Sequence, residues 1–223
     1  MDRFEIQGGV PLNGTITASG NKNAALKLLP ACLLTEEPVT LHNVPDIADV
    51  HTMIQLVRSV GADVVNEGGG TLRIHARDVD ASVIDRQLTT QIRASIVLAG
   101  PLLARAGYLE LPPPGGDVIG RRRVDTHVLA MKALGAECEF NSHFVFKTSG
   151  LRGADILLDE ASVTATENPI MAAVLAQGTT VIRNAASEPH VQDLCHFLNT
   201  LGAQIEGIGS NTLTIHGVDR LHG

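Results

Sequence analysis

The chain has 223 residues, 44% of them hydrophobic and 18% charged, with a formal net charge of −7; this excludes a disordered chain and is long enough to bury a sizeable core. The acidic balance disfavours partners such as nucleic acid or anionic membrane, and no Trp, one Tyr and five Phe leave little with which to build a base-stacking platform. Cys32, Cys138 and Cys195 lack CxxC spacing, the start has no signal-peptide pattern, and no apolar run reaches membrane-spanning length, so the chain reads as cytoplasmic, without a disulfide framework or zinc site.

In chain order, residues 14–18 read as a strand leading into the loop Ser19-Gly20-Asn21-Lys22-Asn23, and a helix rich in small residues is expected at 23–34. A strand at 39–42 follows. Next comes a helix with Val50, Met53, Ile54 and Val57 at 3–4 spacing, which stops at Gly61-Ala62. Strands at 63–66 and 72–75 then turn at Gly68-Gly69-Gly70.

The same order returns with a helix at 91–105, a strand at 108–111 and a helix ending at Gly135-Ala136. It returns again after an extended stretch at 155–158. Here the helix is at 167–177, the strand at 179–182, and the helix bearing Val191, Leu194, Cys195 and Leu198 ends at Gly202-Ala203. Strands at 204–206 and 212–216 close this copy. Three copies of helix–strand–helix–strand–strand, roughly seventy residues apart, form one three-unit domain of α/β (α+β) class.

Two loops can carry chemistry. Ser19–Asn23 sets a glycine, a lysine and amides at a helix start, where free N–H groups favour an anion; equally, Asn21 or Asn23 is an N-cap and Lys22 is solvated. The stretch Pro112-Pro113-Pro114-Gly115-Gly116-Asp117-Val118-Ile119-Gly120-Arg121-Arg122-Arg123 is elaborated where the other two copies have plain connections. Three adjacent arginines on an acidic chain suit a phosphate or carboxylate, or else a solvated surface turn. The histidines are scattered without metal-ligand spacing and read as structural or surface residues.

Gly20-Asn21-Lys22-Asn23-Ala24-Ala25 and Pro114-Gly115-Gly116-Asp117-Val118-Ile119-Gly120 resemble the two signature stretches of the UDP-N-acetylglucosamine 1-carboxyvinyltransferase family of enolpyruvyl transferases. Val39–Pro45 and Asn184–Pro189 are similar to further stretches of it, in register along the whole chain. The resemblance implies an inside-out α/β barrel and transfer of the enolpyruvyl group of phosphoenolpyruvate to the 3-hydroxyl of UDP-N-acetylglucosamine, with no metal or cofactor. It implies that Asp117, Lys22 and Arg122 are catalytic. Asn23 and Arg93 would join Lys22 and Arg122 at the substrates, and Arg123, Val124, Asp125, Thr126, Ser162 and Val163 would line the uridine side.

Asp117 stands where many members have the cysteine that fosfomycin alkylates, which implies a carboxylic proton donor and insensitivity to that epoxide. Arg123 replaces a frequent proline, and Glu160 a frequent lysine. The resemblance further implies that residues 1–21 pack with a second, C-terminal domain and that 22–223 form the catalytic three-unit domain, about half the family's length, with little turnover alone. The enzyme acting on shikimate 3-phosphate, and a non-catalytic binding module of the same fold, are the alternatives.

Overall fold

The computed structural model describes residues 3–116 and 123–223. Asn21 caps the first helix, α1 (Lys22–Ala31), by accepting from the Ala24 amide at 3.0 Å. A 3₁₀ turn, Cys32–Leu34, follows. Strand β1 (Val39–Leu41), helix α2 (Ala48–Ser59) and strands β2 (Asp63–Gly68) and β3 (Thr71–His75) come next.

After a short helix α3 (Arg86–Thr89), a 3₁₀ stretch Arg93–Leu98 leads into α4 (Ala99–Ala106), β4 (Tyr108–Leu111), α5 (Asp125–Ala133), β5 (Glu137–Asn141) and β6 (His143–Lys147). The last part holds β7 (Asp155–Leu157), α6 (Val163–Ala173), β8 (Thr179–Arg183), α7 (Pro189–Thr200), β9 (Gln204–Glu206) and β10 (Thr212–His216).

The strands form three sheets, ordered β1-β3-β2, β4-β6-β5 and β7-β8-β10-β9. In each, the hairpin's second strand lies in the middle, pairing antiparallel with both neighbours: Leu41 with Leu72, Leu111 with Phe144, Thr180 with Ile215. Strand β7 adds in parallel beside β8.

Helices α1, α4 and α6 lie inside, and α6 is buried without a break from Ala165 to Ala173. Ala165, Met171, Ala172 and Ala173 are apolar or small as such a helix requires, whereas the buried Thr166, Glu167 and Asn168 make one turn of it polar. Helices α2 and α7 bury one stripe each, Val50, Met53, Leu56 and Val57 on the first and Val191, Leu194, Cys195 and Leu198 on the second. Gly61, Gly135 and Gly202, which follow their helices, all have φ near +90 to +110° (107°, 89° and 98°), a conformation that costs glycine little.

Three expectations need correction. Residues 3–18 hold no helix or strand, because they have no ladder partner among the described residues. The helix expected at 91–105 is a 3₁₀ stretch followed by α4, and Pro101, which has no N–H, falls in the first turn of α4, where none is needed. The helix expected at 167–177 starts at Val163, capped by Ser162.

Candidate functional site

The start of α1, the 3₁₀ stretch at Arg93 and the start of α6 meet at a cavity of about 360 Å³. Lys22, Asn23, Leu26 and Lys27 line it from α1, Asp49 from α2, and Gln91, Ile92, Arg93 and Ala94 from the approach to α4. Gly116 and Thr164 complete it. Lys22 Nζ donates to Asp49 Oδ2 at 2.8 Å, an exposed pair that anion binding can reopen at little cost.

The proline–glycine loop is seated on the same wall. A Cβ at Gly115 would fall 1.5 Å from the Thr90 carbonyl oxygen, and one at Gly116 would fall 3.1 Å from the Arg93 amide nitrogen. Only glycine permits that approach, so the loop enters the cavity beside Arg93. On its return side, Arg93 Nη2 donates to the Arg123 carbonyl at 2.9 Å. Asp117 and Arg122 lie between these anchors, outside the described residues.

Of the other sequence-predicted residues, Arg123, Asp125 and Thr126 form a second cluster around Asp159. Arg123 Nε donates to both Asp125 oxygens at 2.9 and 2.8 Å, and Arg123 Nη2 reaches Asp125 and Asp159. Thr126 Oγ1 donates to Asp159 Oδ1 at 2.7 Å. The Thr126 hydroxyl, then Arg123, hold the Asp159 carboxyl below its usual range, while Asp125 and Asp159 raise Arg123. Val124 precedes α5, and Ser162 caps α6 ahead of the half-buried Val163. Glu160 is exposed. Sequence reasoning missed Asp159, which is recognisable only once β7 and α5 are adjacent.

His127 connects the two groups. It is buried, with Asn168 Nδ2 donating to Nδ1 at 3.0 Å and Nε2 lying 3.2 Å from Thr164 Oγ1. Since Nδ1 accepts, Nε2 carries the proton and donates to Thr164. Burial, then the nearby Arg93 charge, push its pKa down to about 3, so the ring is neutral. Sequence reasoning also missed Lys27 and Glu167. Lys27 lies one turn beyond Asn23, and Glu167 is the one charged residue of the buried helix α6.

Among the described residues, no group of three or more His, Cys, Asp or Glu could hold a metal ion, and no helix is long and apolar enough to cross a membrane.

A fold of mixed sheets around buried helices, with lysine, arginine and a glycine loop on one cavity, suits the binding of a phosphorylated anion. The description "EPSP synthase (3-phosphoshikimate 1-carboxyvinyltransferase)" matches residues 6–223, and the chain belongs to that family of carboxyvinyl transferases.

Among curated relatives, a Treponema denticola protein named UDP-N-acetylglucosamine 1-carboxyvinyltransferase is 57% identical over all of this chain and 52% of its own length. A Bradyrhizobium diazoefficiens protein of the same name is 58% identical over 96% of this chain and 50% of its own length. The chain thus spans about half the length of the curated relatives it matches. The enolpyruvyl transferase NikO from Streptomyces tendae has the same fold, with a TM-score of 0.82 at 24% identity over 96% of this chain and 51% of that one.

Proposed function

We propose that this chain carries the catalytic part of a UDP-N-acetylglucosamine 1-carboxyvinyltransferase, which moves the enolpyruvyl group of phosphoenolpyruvate onto the sugar's 3-hydroxyl and releases phosphate. The observation that carries this reading is the single cavity lined by Lys22, Asn23, Arg93 and Gly116, the last described residue before Asp117. The identity of 57–58% to proteins of that name favours the nucleotide sugar over shikimate 3-phosphate as acceptor.

In this reading Lys22, Arg93 and Arg122 neutralise the phosphate and carboxylate, and Asn23 orients the ligand. The sugar hydroxyl gives its proton to a base supplied by the second domain as its oxygen bonds to C2 of phosphoenolpyruvate, while Asp117 delivers a proton to the C3 methylene. The tetrahedral ketal then returns a proton from C3 to the Asp117 carboxylate as the C2–O bond to phosphate breaks. Binding energy, proton transfer and cationic stabilisation suffice, so the proposal includes neither metal nor cofactor. Arg123, Val124, Asp125, Thr126, Ser162 and Val163 form the uridine side. With a carboxylic acid in place of thiolate at 117, fosfomycin has no good nucleophile to alkylate.

The finer architecture belongs to the same proposal: residues 22–223 as one inside-out α/β barrel of three units, working with a second domain in the cytoplasm. The shared order of β1-β3-β2, β4-β6-β5 and β8-β10-β9 supports the three units. Phe4, Ile6, Leu12 and Ile16, at 88%, 89%, 99% and 96% exposure, support a covering partner for residues 1–21.

Calorimetry with UDP-N-acetylglucosamine, then phosphate release after the second domain is supplied in trans, tests this. Binding of shikimate 3-phosphate instead would contradict it. Binding of the nucleotide sugar without any turnover once the second domain is present would favour a non-catalytic module.

A further inference from the structure

Behind the cavity lies an ion pair that the reaction above does not use. Lys27, on α1, is i+4 from Asn23 and so shares its helix face, and it lines the same cavity as Lys22 and Arg93. Its Nζ lies 3.4 Å from Glu167 Oε2, on α6, and the two side chains are 5% and 0% exposed. That separation is long for a charge-assisted hydrogen bond, ordinarily about 2.7–2.9 Å. Both Glu167 oxygens are buried, and neither has a directed hydrogen-bond partner among the described residues. Burial favours the neutral form of this carboxyl, and Lys27 is the one cation opposing it.

We propose that Lys27 and Glu167 are a proton-linked pair that sets the charge behind this cavity. With Glu167 ionised the pair is neutral, and the cavity's anion is held by the remaining cations. With Glu167 protonated from solvent, the Lys27 ammonium is uncompensated and acts on the anion. Anion binding therefore takes up a proton at Glu167.

The other groups facing the pair are few. Glu188 and Cys195 face Glu167 from α7 and its cap, and His190 on α7 feels Lys27, Glu188 and Asp193. On the side of α5 and the 3₁₀ stretch, His127 faces Arg93 and remains neutral. Burial, opposed by Lys27, pushes Glu167 up to about 8, which puts the switch within reach of neutral pH.

This inference rests on the cavity being an anion site, and not on which acceptor it serves. Sulfate is a suitable probe because it stays dianionic where phosphate itself titrates. Its affinity for the whole chain should fall about fivefold between roughly pH 6 and pH 9, and towards tenfold above that, the linkage expected if the anion raises the Glu167 pKa by one unit from about 8. Glu167→Gln should bind at the tighter level and lose that slope.

Lys27→Met/Glu167→Met, which replaces the pair with apolar groups and guards against misfolding of the single variant, should bind at the weaker level without slope. Lys22→Ala locates the site by weakening sulfate at every pH. Sulfate binding that depends on Lys22, with the wild-type pH slope kept in Glu167→Gln or in the double variant, would overturn the pair's role and leave the anion site standing. No sulfate binding by the wild type would remove both.

Discussion

Arg93 Nη2 donates to the main-chain carbonyl of Arg123 at 2.9 Å, while Gly116 packs on Arg93 from the other end of the loop. Arg93 thus touches both ends of the segment that carries Asp117 and Arg122, through its backbone on one side and its guanidinium on the other, and it also lines the cavity with Lys22. Arg93→Ala should weaken binding of UDP-N-acetylglucosamine and phosphoenolpyruvate by about tenfold or more, as expected for loss of a charged donor. Calorimetry checks this. Arg93→Lys should not restore affinity, because an ammonium lacks the fork that serves carbonyl and ligand together.

Gly115→Val tests the near anchor. Its Cβ would collide with the Thr90 carbonyl, so the loop must lift from α3. We expect a loss of about 1–3 kcal/mol in stability, the usual cost of overpacking, together with weakened ligand binding. Urea unfolding and calorimetry on one sample measure both.

The Arg123–Asp125–Asp159 cluster predicts an acid-side effect. The Asp159 carboxyl is depressed in the folded chain, so its contribution is present above the unfolded value of 3.8 and is lost as pH falls through the folded one. Asp159→Asn should flatten the stability profile on that side and lower ligand affinity through Arg123 and Thr126. Chemical denaturation across the acid range reads the first effect.

Glu167 predicts the opposite sign. Its folded carboxyl is raised from 4.5 to about 8, so the stability it contributes is complete below the unfolded value and is lost as pH rises through about 8. Glu167→Gln should remove that decline, as read from urea midpoints. In the same samples, the His127 ring resonances should not move between about pH 5 and pH 8, since burial keeps the ring neutral there.

Much of this was legible in the sequence because it is local. Asn21 before an Ala-rich helix is a cap signal, and the Gly-Ala steps at Gly61, Gly135 and Gly202 mark helix ends whatever surrounds them. Strands β9 and β10 fall where their alternating pattern places them. The start of α6 was hidden by Thr164 and Thr166, poor helix formers that tertiary burial overrides. The site was half legible. Lys22, Asn23 and Arg93 stand in recognisable stretches, but Lys27 with Glu167, and Arg123 with Asp159, are far apart in the chain and acquire meaning only when the helices pack. No single-sequence periodicity encodes that.

The central claim is that the start of α1 and the proline–glycine–arginine loop serve one anionic ligand. Amide hydrogen exchange, with and without UDP-N-acetylglucosamine and phosphoenolpyruvate, tests it most directly. Peptides covering residues 20–31 and 112–125 should gain protection together, and Lys22→Ala or Arg93→Ala should abolish both gains. Protection of only one of them, or of a region remote from the cavity, would contradict it.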